Sequence, residues 1–339
     1  MHHWRAALIG CGEIGAQHAD AVAGIGGLQF DAYCDTTIAA AQALLDRHGG
    51  RYATADADRV FADPAVDVVY ICTRHDSHVE YALRAAEAGK HMLIEKPMAL
   101  TVAECQTIGD AVERAGVTAM TGFKLRFYQL VAHARRLMPE PQMATMQTMY
   151  DRLPDDRWVH DPVQGGGTVL SAGVHSVDLL RFLLGADPVT VTAAGANFYH
   201  RNGLIDNIAA VYRFGNGSVA NLVQGDFNCP PPASTFYVQL FREDESLTLS
   251  DRLCRLVHRR GTGEPTVLTG TEDGIRRESQ ELVRALNTGG PPPAGHRDGW
   301  WATAMISAAV RAAGTGEPQH LPTPLQPATA GQTERLTQR

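Results

Sequence analysis

Two short segments hold residues whose types and spacing could do chemistry. The first is Glu95-Lys96-Pro97, directly after the apolar run His91–Ile94. Lysine occurs only at positions 90, 96 and 124 among 30 basic residues, and arginine supplies the rest. Arginine stays protonated in proteins, whereas a lysine with a lowered pKa moves protons near neutral pH. Lys96 is therefore a candidate acid/base group. The second segment runs Gly165-Gly166-Gly167-Thr168-Val169-Leu170-Ser171-Ala172-Gly173-Val174-His175-Ser176-Val177-Asp178. Its glycines let the chain pass close to a ligand or another backbone. Ser171 and His175 are four apart and share a face if the segment is helical. A histidine in a helix's first turn, facing a cleft, can orient or protonate a substrate oxygen. The plainer readings are that His175 caps or packs the helix and that Ser171 is its N-cap.

A third segment, Gly10-Cys11-Gly12-Glu13-Ile14-Gly15, follows a strand-like run and opens a helical pattern, with Asp35 at the end of the next strand. In such a loop Gly10 makes the tight turn, Gly12 admits a pyrophosphate to the backbone, and Gly15 lets helix and strand pack closely. The helix N-terminus then faces the phosphates. Asp35 suits a ribose 2′-hydroxyl and repels a 2′-phosphate, so NAD is read in preference to NADP. A tight turn without a ligand is the alternative. Arg74 could serve a 2′-phosphate from another loop.

The elements that must position these residues can be read from the hydrophobic pattern. Over residues 1–122, strand-like and helix-like runs alternate, which implies a doubly wound parallel sheet. Residues 66–72 form a continuous apolar run, as in a strand buried on both faces. Thr101 and Glu104 read as a capping box that opens a helix to about residue 115. From about Met143 the pattern changes, and strand-like runs separated by turns, such as 189–197, 208–214 and 218–227, imply a largely antiparallel sheet. A helix over 175–184 precedes it, and helices over 275–286 and 300–313 follow. The fold class expected is α/β: a Rossmann domain over 1–122, an α+β domain with an open, mainly antiparallel sheet over 123–317, and a loosely attached tail over 318–339.

Bulk composition narrows the function classes. A chain of 339 residues is long enough for two domains. A net charge of −7 with no basic face argues against nucleic acid as a partner. Six cysteines, none in a C-x-x-C pair, read as reduced thiols of a cytoplasmic protein. No signal-like stretch or 18-residue apolar span is present, so no membrane association is expected. Metal chemistry is not expected either: His175 and Asp178 have i, i+3 spacing, but no further ligands cluster nearby. Trp158, before the glycines, suits stacking on a sugar face or a core or interface role. Arg126 is read either as a contact to a substrate oxygen or as half of a structural ion pair.

With these pieces assembled, the chain resembles the Gfo/Idh/MocA family, the glucose–fructose oxidoreductase and inositol dehydrogenase group. The resemblance is carried by the loop at 10–15, Cys72-Thr73 with Asp76-Ser77-His78, Ala88-Gly89-Lys90-His91, Glu95-Lys96-Pro97, and Gly122-Phe123 with Arg126-Phe127. It continues through Gly165 to Asp178, Asp206, Arg213-Phe214-x-Asn216-Gly217, and Asp298-Gly299. It implies a nicotinamide cofactor held by Gly10, Cys11, Gly12, Glu13, Ile14, Gly15, Asp35, Cys72, Thr73, His78, Glu95 and Lys96. It also implies a sugar, cyclitol or polyol substrate met by Lys96, Arg126, Trp158, Ser171 and His175, with Lys96 and His175 catalytic. A homodimer or homotetramer built through the open sheet is implied as well.

The chain departs from the family at Ser171, where inositol-dehydrogenase-like members usually carry Asp. The proton-transfer role then falls more heavily on Lys96 and His175. Thr73-Arg74-His75 replaces the usual Thr-Pro-Asn, and residues 242–246 replace a Gly-x-x-Gly turn. The leading functional reading is NAD(P)-dependent oxidation or reduction at a secondary alcohol or ketone. The alternatives are an enzyme that oxidises a sugar, eliminates a substituent and returns the hydride, and a non-catalytic NAD-binding regulator.

Overall fold

The computed structural model describes residues 2–227 and 235–321. The first half runs β1 (Trp4–Ile9), α1 (Glu13–Val22), β2 (Leu28–Cys34), α2 (Ile38–His48), β3 (Tyr52–Thr54), α3 (Ala57–Ala62), β4 (Val68–Ile71), α4 (His78–Glu87), β5 (His91–Ile94), α5 (Val102–Ala115) and β6 (Ala119–Thr121). Its six strands are all parallel, in the order β3-β2-β1-β4-β5-β6. The order reverses between β1 and β4, and ligands of open α/β sheets bind at such a switch point, beyond the carboxyl ends of the strands. All four residues of β4 are buried, as a strand covered on both faces requires. The capping box forms: Thr101 Oγ1 accepts from the Glu104 N–H at 3.2 Å and Glu104 Oε2 accepts from the Thr101 N–H at 2.9 Å.

The second half runs α6 (Gln129–Leu137), β7 (Met143–Asp151), α7 (Thr168–Leu184), β8 (Pro188–Ala196), β9 (Asn207–Phe214), β10 (Val219–Phe227), β11 (Phe236–Arg242), β12 (Glu245–Ser250), β13 (Arg255–Arg260), β14 (Thr266–Thr269), α8 (Gly274–Thr288), α9 (His296–Thr315) and β15 (Gln319–His320). Among the described residues nine strands form one sheet, β14-β13-β12-β11-β7-β10-β9-β8-β15. Every pair is antiparallel except β7 with β10. α7 and α9 pack against it, while α8 returns to α1 and α9 also reaches α5 and β6. The exposed positions of β9 and β10 include Val211 and Val223. Among the described residues no helix is long and apolar enough to cross a membrane.

Three local expectations need correction. β7 had not been anticipated, because small or polar Ala144 and Thr148 occupy inward positions beside Met146 and blur the alternation. α7 begins at Thr168, well before His175, so Ser171 lies inside the helix and is not its cap. Within the expected tail, Gln319 and His320 pair with β8, and residues 322–339 lie outside the described residues.

Candidate active site

The glycine loop takes the shape a dinucleotide needs. Gly10 has φ +94°, and a Cβ there would lie 2.4 Å from the Cys72 carbonyl oxygen at the end of β4. A Cβ on Gly15 would lie 2.0 Å from Gly10 O, so both positions exclude side chains. A Cβ on exposed Gly12 would meet nothing within 4 Å, leaving open space at the N-terminus of α1. Glu13 is exposed and Ile14 half-buried in the first turn of that helix. Asp35 is half-buried and accepts from the backbone N–H groups of Cys11 and Thr37, both at 2.8 Å. These bonds fix the carboxylate at the edge of the loop with lone pairs to spare for a ribose hydroxyl. The residues present thus fit a dinucleotide on their own geometry. Burial, with the Asp35 charge beside it, pushes the Cys11 thiol up to about 12, so it is an inert neutral side chain here.

The loop after β4 faces the second half of the molecule. Thr73 is half-buried, and its Oγ1 accepts from Ser77 Oγ at 2.7 Å. His78 is buried and bridges the carbonyls of Thr73 (Nε2, 3.2 Å) and Pro97 (Nδ1, 2.8 Å), tying this loop to the Glu95-Lys96-Pro97 segment. The Asp76 N–H donates to Gln164 O at 3.2 Å, and His75 Nδ1 donates to Gly165 O at 2.8 Å. Arg74 pairs with Asp76 at 3.5 Å in this same loop, which is bonded to residues 164–165 and not to the Asp35 edge.

Lys96 is half-buried at the end of β5, before a cis peptide to Pro97. Its Nζ donates to the backbone carbonyl of Ser171 at 3.1 Å, joining β5 to α7. Burial lowers the Lys96 pKa, Glu95 opposes that, and the nearby Lys124 charge adds to it. His175, one turn beyond Ser171 on α7, is 4% exposed. Burial and the charges of Lys96 and Lys124 hold it well below the usual histidine range, so it is a neutral imidazole. Its buried Nδ1 has no hydrogen-bond partner among the described residues, and its ring lies edge-on to Phe123 with centroids 6.1 Å apart. Gly167, φ +85°, starts α7 at the point that brings Ser171 and His175 to Lys96.

Arg126 sits in a buried ion-pair network. It is 5% exposed. Its Nε donates to Asp178 Oδ2 at 2.7 Å, Nη1 to Pro293 O at 2.8 Å, and Nη2 to Asp298 Oδ1 at 2.9 Å and to Asp178 Oδ1. Four of its five N–H donors are taken by these partners, which favours the ion-pair reading over the substrate contact. Trp158 is half-buried, stands edge-on to His75 with centroids 4.7 Å apart, and borders a groove of about 940 Å³ that also touches Phe198, Tyr199 and His160. The groove is lined by neither His75, Lys96 nor His175.

Sequence reasoning missed three residues here. The Lys124 charge is felt by Lys96, His175 and Glu278, and Lys124 forms no ion pair among the described residues. Its only signal was the rarity of lysine. His18 and Glu278 lie against Glu95 from α1 and α8, and no local pattern marks them.

Comparison with known proteins places these features in company. Residues 4–123 match the model of the GFO_IDH_MocA oxidoreductase family, NAD-binding Rossmann fold, and residues 138–240 match that of the GFO/IDH/MocA C-terminal domain. The chain is 34% identical over 194 residues to inositol 2-dehydrogenase of Rhizobium meliloti (strain 1021), covering 57% of this chain and 58% of that protein. It is 25% identical over 336 residues to 1,5-anhydro-D-fructose reductase of Ensifer adhaerens, covering 96% of this chain and 100% of that one. The solved structure of levoglucosan dehydrogenase with NADH and levoglucosan superimposes with a TM-score of 0.87 at 21% identity, covering 95% of this chain and 100% of that one. The first match thus spans less than two thirds of its relative, while the likeness of fold extends over 95% of this chain.

Proposed function

The chain belongs to the GFO/IDH/MocA oxidoreductase family, and from that premise we propose that it is an NAD-dependent dehydrogenase or reductase acting on a secondary alcohol or ketone of a sugar, inositol or related polyol. The observation that carries the reading is Lys96 Nζ held 3.1 Å from Ser171 O, beside neutral His175 and at the strand ends beyond the glycine loop. The names of the inositol 2-dehydrogenase and anhydrofructose reductase relatives support the substrate class.

A nicotinamide bound by the loop at 10–15 would accept or supply the hydride. The chain's own residues handle the proton. Lys96, with a lowered pKa, takes the hydroxyl proton during oxidation or gives it back during reduction, and the Ser171 carbonyl fixes where its nitrogen sits. His175 is uncharged, so it can hold a substrate hydroxyl without competing for the charge. Positioned acid/base help of this kind is worth about 10²–10⁴ in rate. Asp35 favours NAD by meeting the 2′-hydroxyl. Cys72, Thr73, His78 and Glu95 complete the cofactor side, and Trp158 the substrate side.

The functional units are taken as 1–122 for the cofactor and 123–317 for the substrate. The exposed apolar face around Val211 and Val223 supports self-association through the open sheet. The five described cysteines are free, in keeping with a reducing compartment such as the cytoplasm.

A second reading rests on Ser171. A hydroxyl stands where a carboxylate is usual, so the same site suits transient oxidation, elimination of a substituent and return of the hydride. A thermal-shift panel of sugars, inositols and sugar acids, with NAD and separately NADP, tests both readings. At about 100 Kd a ligand stabilises by roughly 2.7 kcal/mol. The dehydrogenase reading expects stabilisation by NAD, further stabilisation by a polyol, and stoichiometric NADH. Glycoside cleavage without net NADH supports the second reading, and partner binding with no turnover on any substrate overturns both.

A further inference from the structure

The buried side of the Glu95-Lys96-Pro97 segment holds a cluster that the proton transfer above does not use. Glu95 Oε1 accepts from His18 Nε2 at 2.9 Å, and Oε2 accepts from the Lys96 backbone N–H at 3.0 Å. Glu278, from α8 near the other end of the chain, completes the group. A ring nitrogen of His18 and a carboxylate oxygen each of Glu95 and Glu278 lie within 4.8 Å of one another, and the three residues are 0%, 5% and 0% exposed. Neither Glu278 oxygen has a hydrogen-bond partner among the described residues. Gly122 makes room for the arrangement, since a Cβ there would lie 3.0 Å from Glu95 Oε1.

Two carboxylates this close and this deeply buried repel each other, so one of them is held protonated more readily than the other. Their surroundings decide which keeps the proton. Around Glu278 stand His18 on α1, Tyr70 and Cys72 on and after β4, Glu95 after β5, and Lys124 in the turn that packs on α8. Burial and the Glu95 charge push Glu278 well above the carboxylate range, with Lys124 opposing in part. Burial works against the Glu95 charge too, but the His18 hydrogen bond and the Lys96 charge hold it down to about 2. The proton therefore belongs to Glu278, and a protonated carboxyl is a donor. The acceptor in reach is Glu95, directly after a small side-chain movement or through one bridging water.

We propose that Glu278 is a positioning residue: together with His18 it holds the Glu95 carboxylate from its buried side and so tunes the charge that Lys96 faces. The inference rests on the reading of Lys96 as the proton-transfer group. A donor on Glu95 draws its negative charge away from Lys96, so losing that donor makes Lys96 more basic. Gln at 278 still donates; Met does not.

The test compares the wild type with Glu278→Gln and Glu278→Met in the pH profile of NAD-dependent polyol oxidation, with NADH binding measured alongside. The Gln variant is expected to keep the wild-type profile within about 0.3 pH unit. The Met variant is expected to move the ascending limb about one unit alkaline, roughly tenfold in rate below it, with NADH affinity unchanged. A Met profile that coincides with the wild type, or a Gln profile displaced as far as Met, overturns the proposal. Carbon-13 NMR of the Glu278 carboxyl in the wild-type protein needs no variant to fold and no substrate. A protonated signal at neutral pH supports the proposal, and an ionised one, or a divalent cation co-purifying in stoichiometric amount, overturns it. If no polyol turns over while Glu278 is protonated, the reading of Lys96 has failed and the Glu278 to Glu95 contact has not.

Discussion

Replacing Arg126 with Met separates a structural arginine from a substrate-binding one. The guanidinium is 5% exposed and joins Asp178 on α7, Pro293 in the preceding loop and Asp298 on α9. Arg181 reinforces Asp298 through Nη1 at 2.5 Å. The substitution strands Asp178, which is 2% exposed, as a buried carboxylate without its main partner. Breaking a buried pair in this way costs about 3–5 kcal/mol, against a total stability of roughly 5–15 kcal/mol. With about 2–4 °C of Tm for each kcal/mol, the expected fall is roughly 6–20 °C. Thermal and urea denaturation measure it, with NADH titration confirming that the glycine loop still works. The Arg126→Met/Asp178→Leu double variant removes both charges and should recover about 0.5–3 kcal/mol of the single-mutant loss. A single variant with an unchanged Tm and a collapsed kcat/KM would refute the structural assignment and return Arg126 to the substrate.

Other outcomes follow from the same geometry. Asp35→Ala removes a charged acceptor for the ribose and should weaken NAD binding by about 10–100-fold, corresponding to roughly 1.5–3 kcal/mol, while narrowing discrimination against NADP; equal losses for both cofactors would count against the Asp35 role. The lowered Lys96 pKa gives pH dependence a definite sign. Alcohol oxidation needs the neutral amine, so kcat/KM should rise with pH and level off below the usual lysine value of about 10.4; ketone reduction needs the ammonium and should fall through the same range. Val211→Glu with Val223→Glu on the exposed sheet face should reduce the mass measured by light scattering to that of one chain, and an unchanged mass would place self-association elsewhere.

The parts of this molecule that could be read from sequence are those written locally. The apolar run that became β4, the capping box at Thr101 and Glu104, and the spacing of Gly10, Gly12, Gly15 and Asp35 each state a rule of backbone or packing within a few residues. β7 was obscured because Ala144 and Thr148 face inward in a sheet whose neighbours supply the bulk. α7 was started too late because its glycine-rich opening reads as a loop, and helix begins there through packing and not propensity. Arg126, Asp178 and Asp298 were each singled out by the resemblance, but nothing within either segment says that they meet, with 52 positions between Arg126 and Asp178 and 172 between Arg126 and Asp298. His18 and Glu278 were invisible for the same reason, since they come together only because α8 folds back on α1.

The central claim is that Lys96 moves the proton. The direct measurement is steady-state turnover of Lys96→Met on a polyol oxidised by the wild type, with NADH affinity measured on the same preparation. The account predicts NADH bound within about twofold of wild type and kcat lowered by about 10²–10⁴. Wild-type kcat with the cofactor still bound would contradict it.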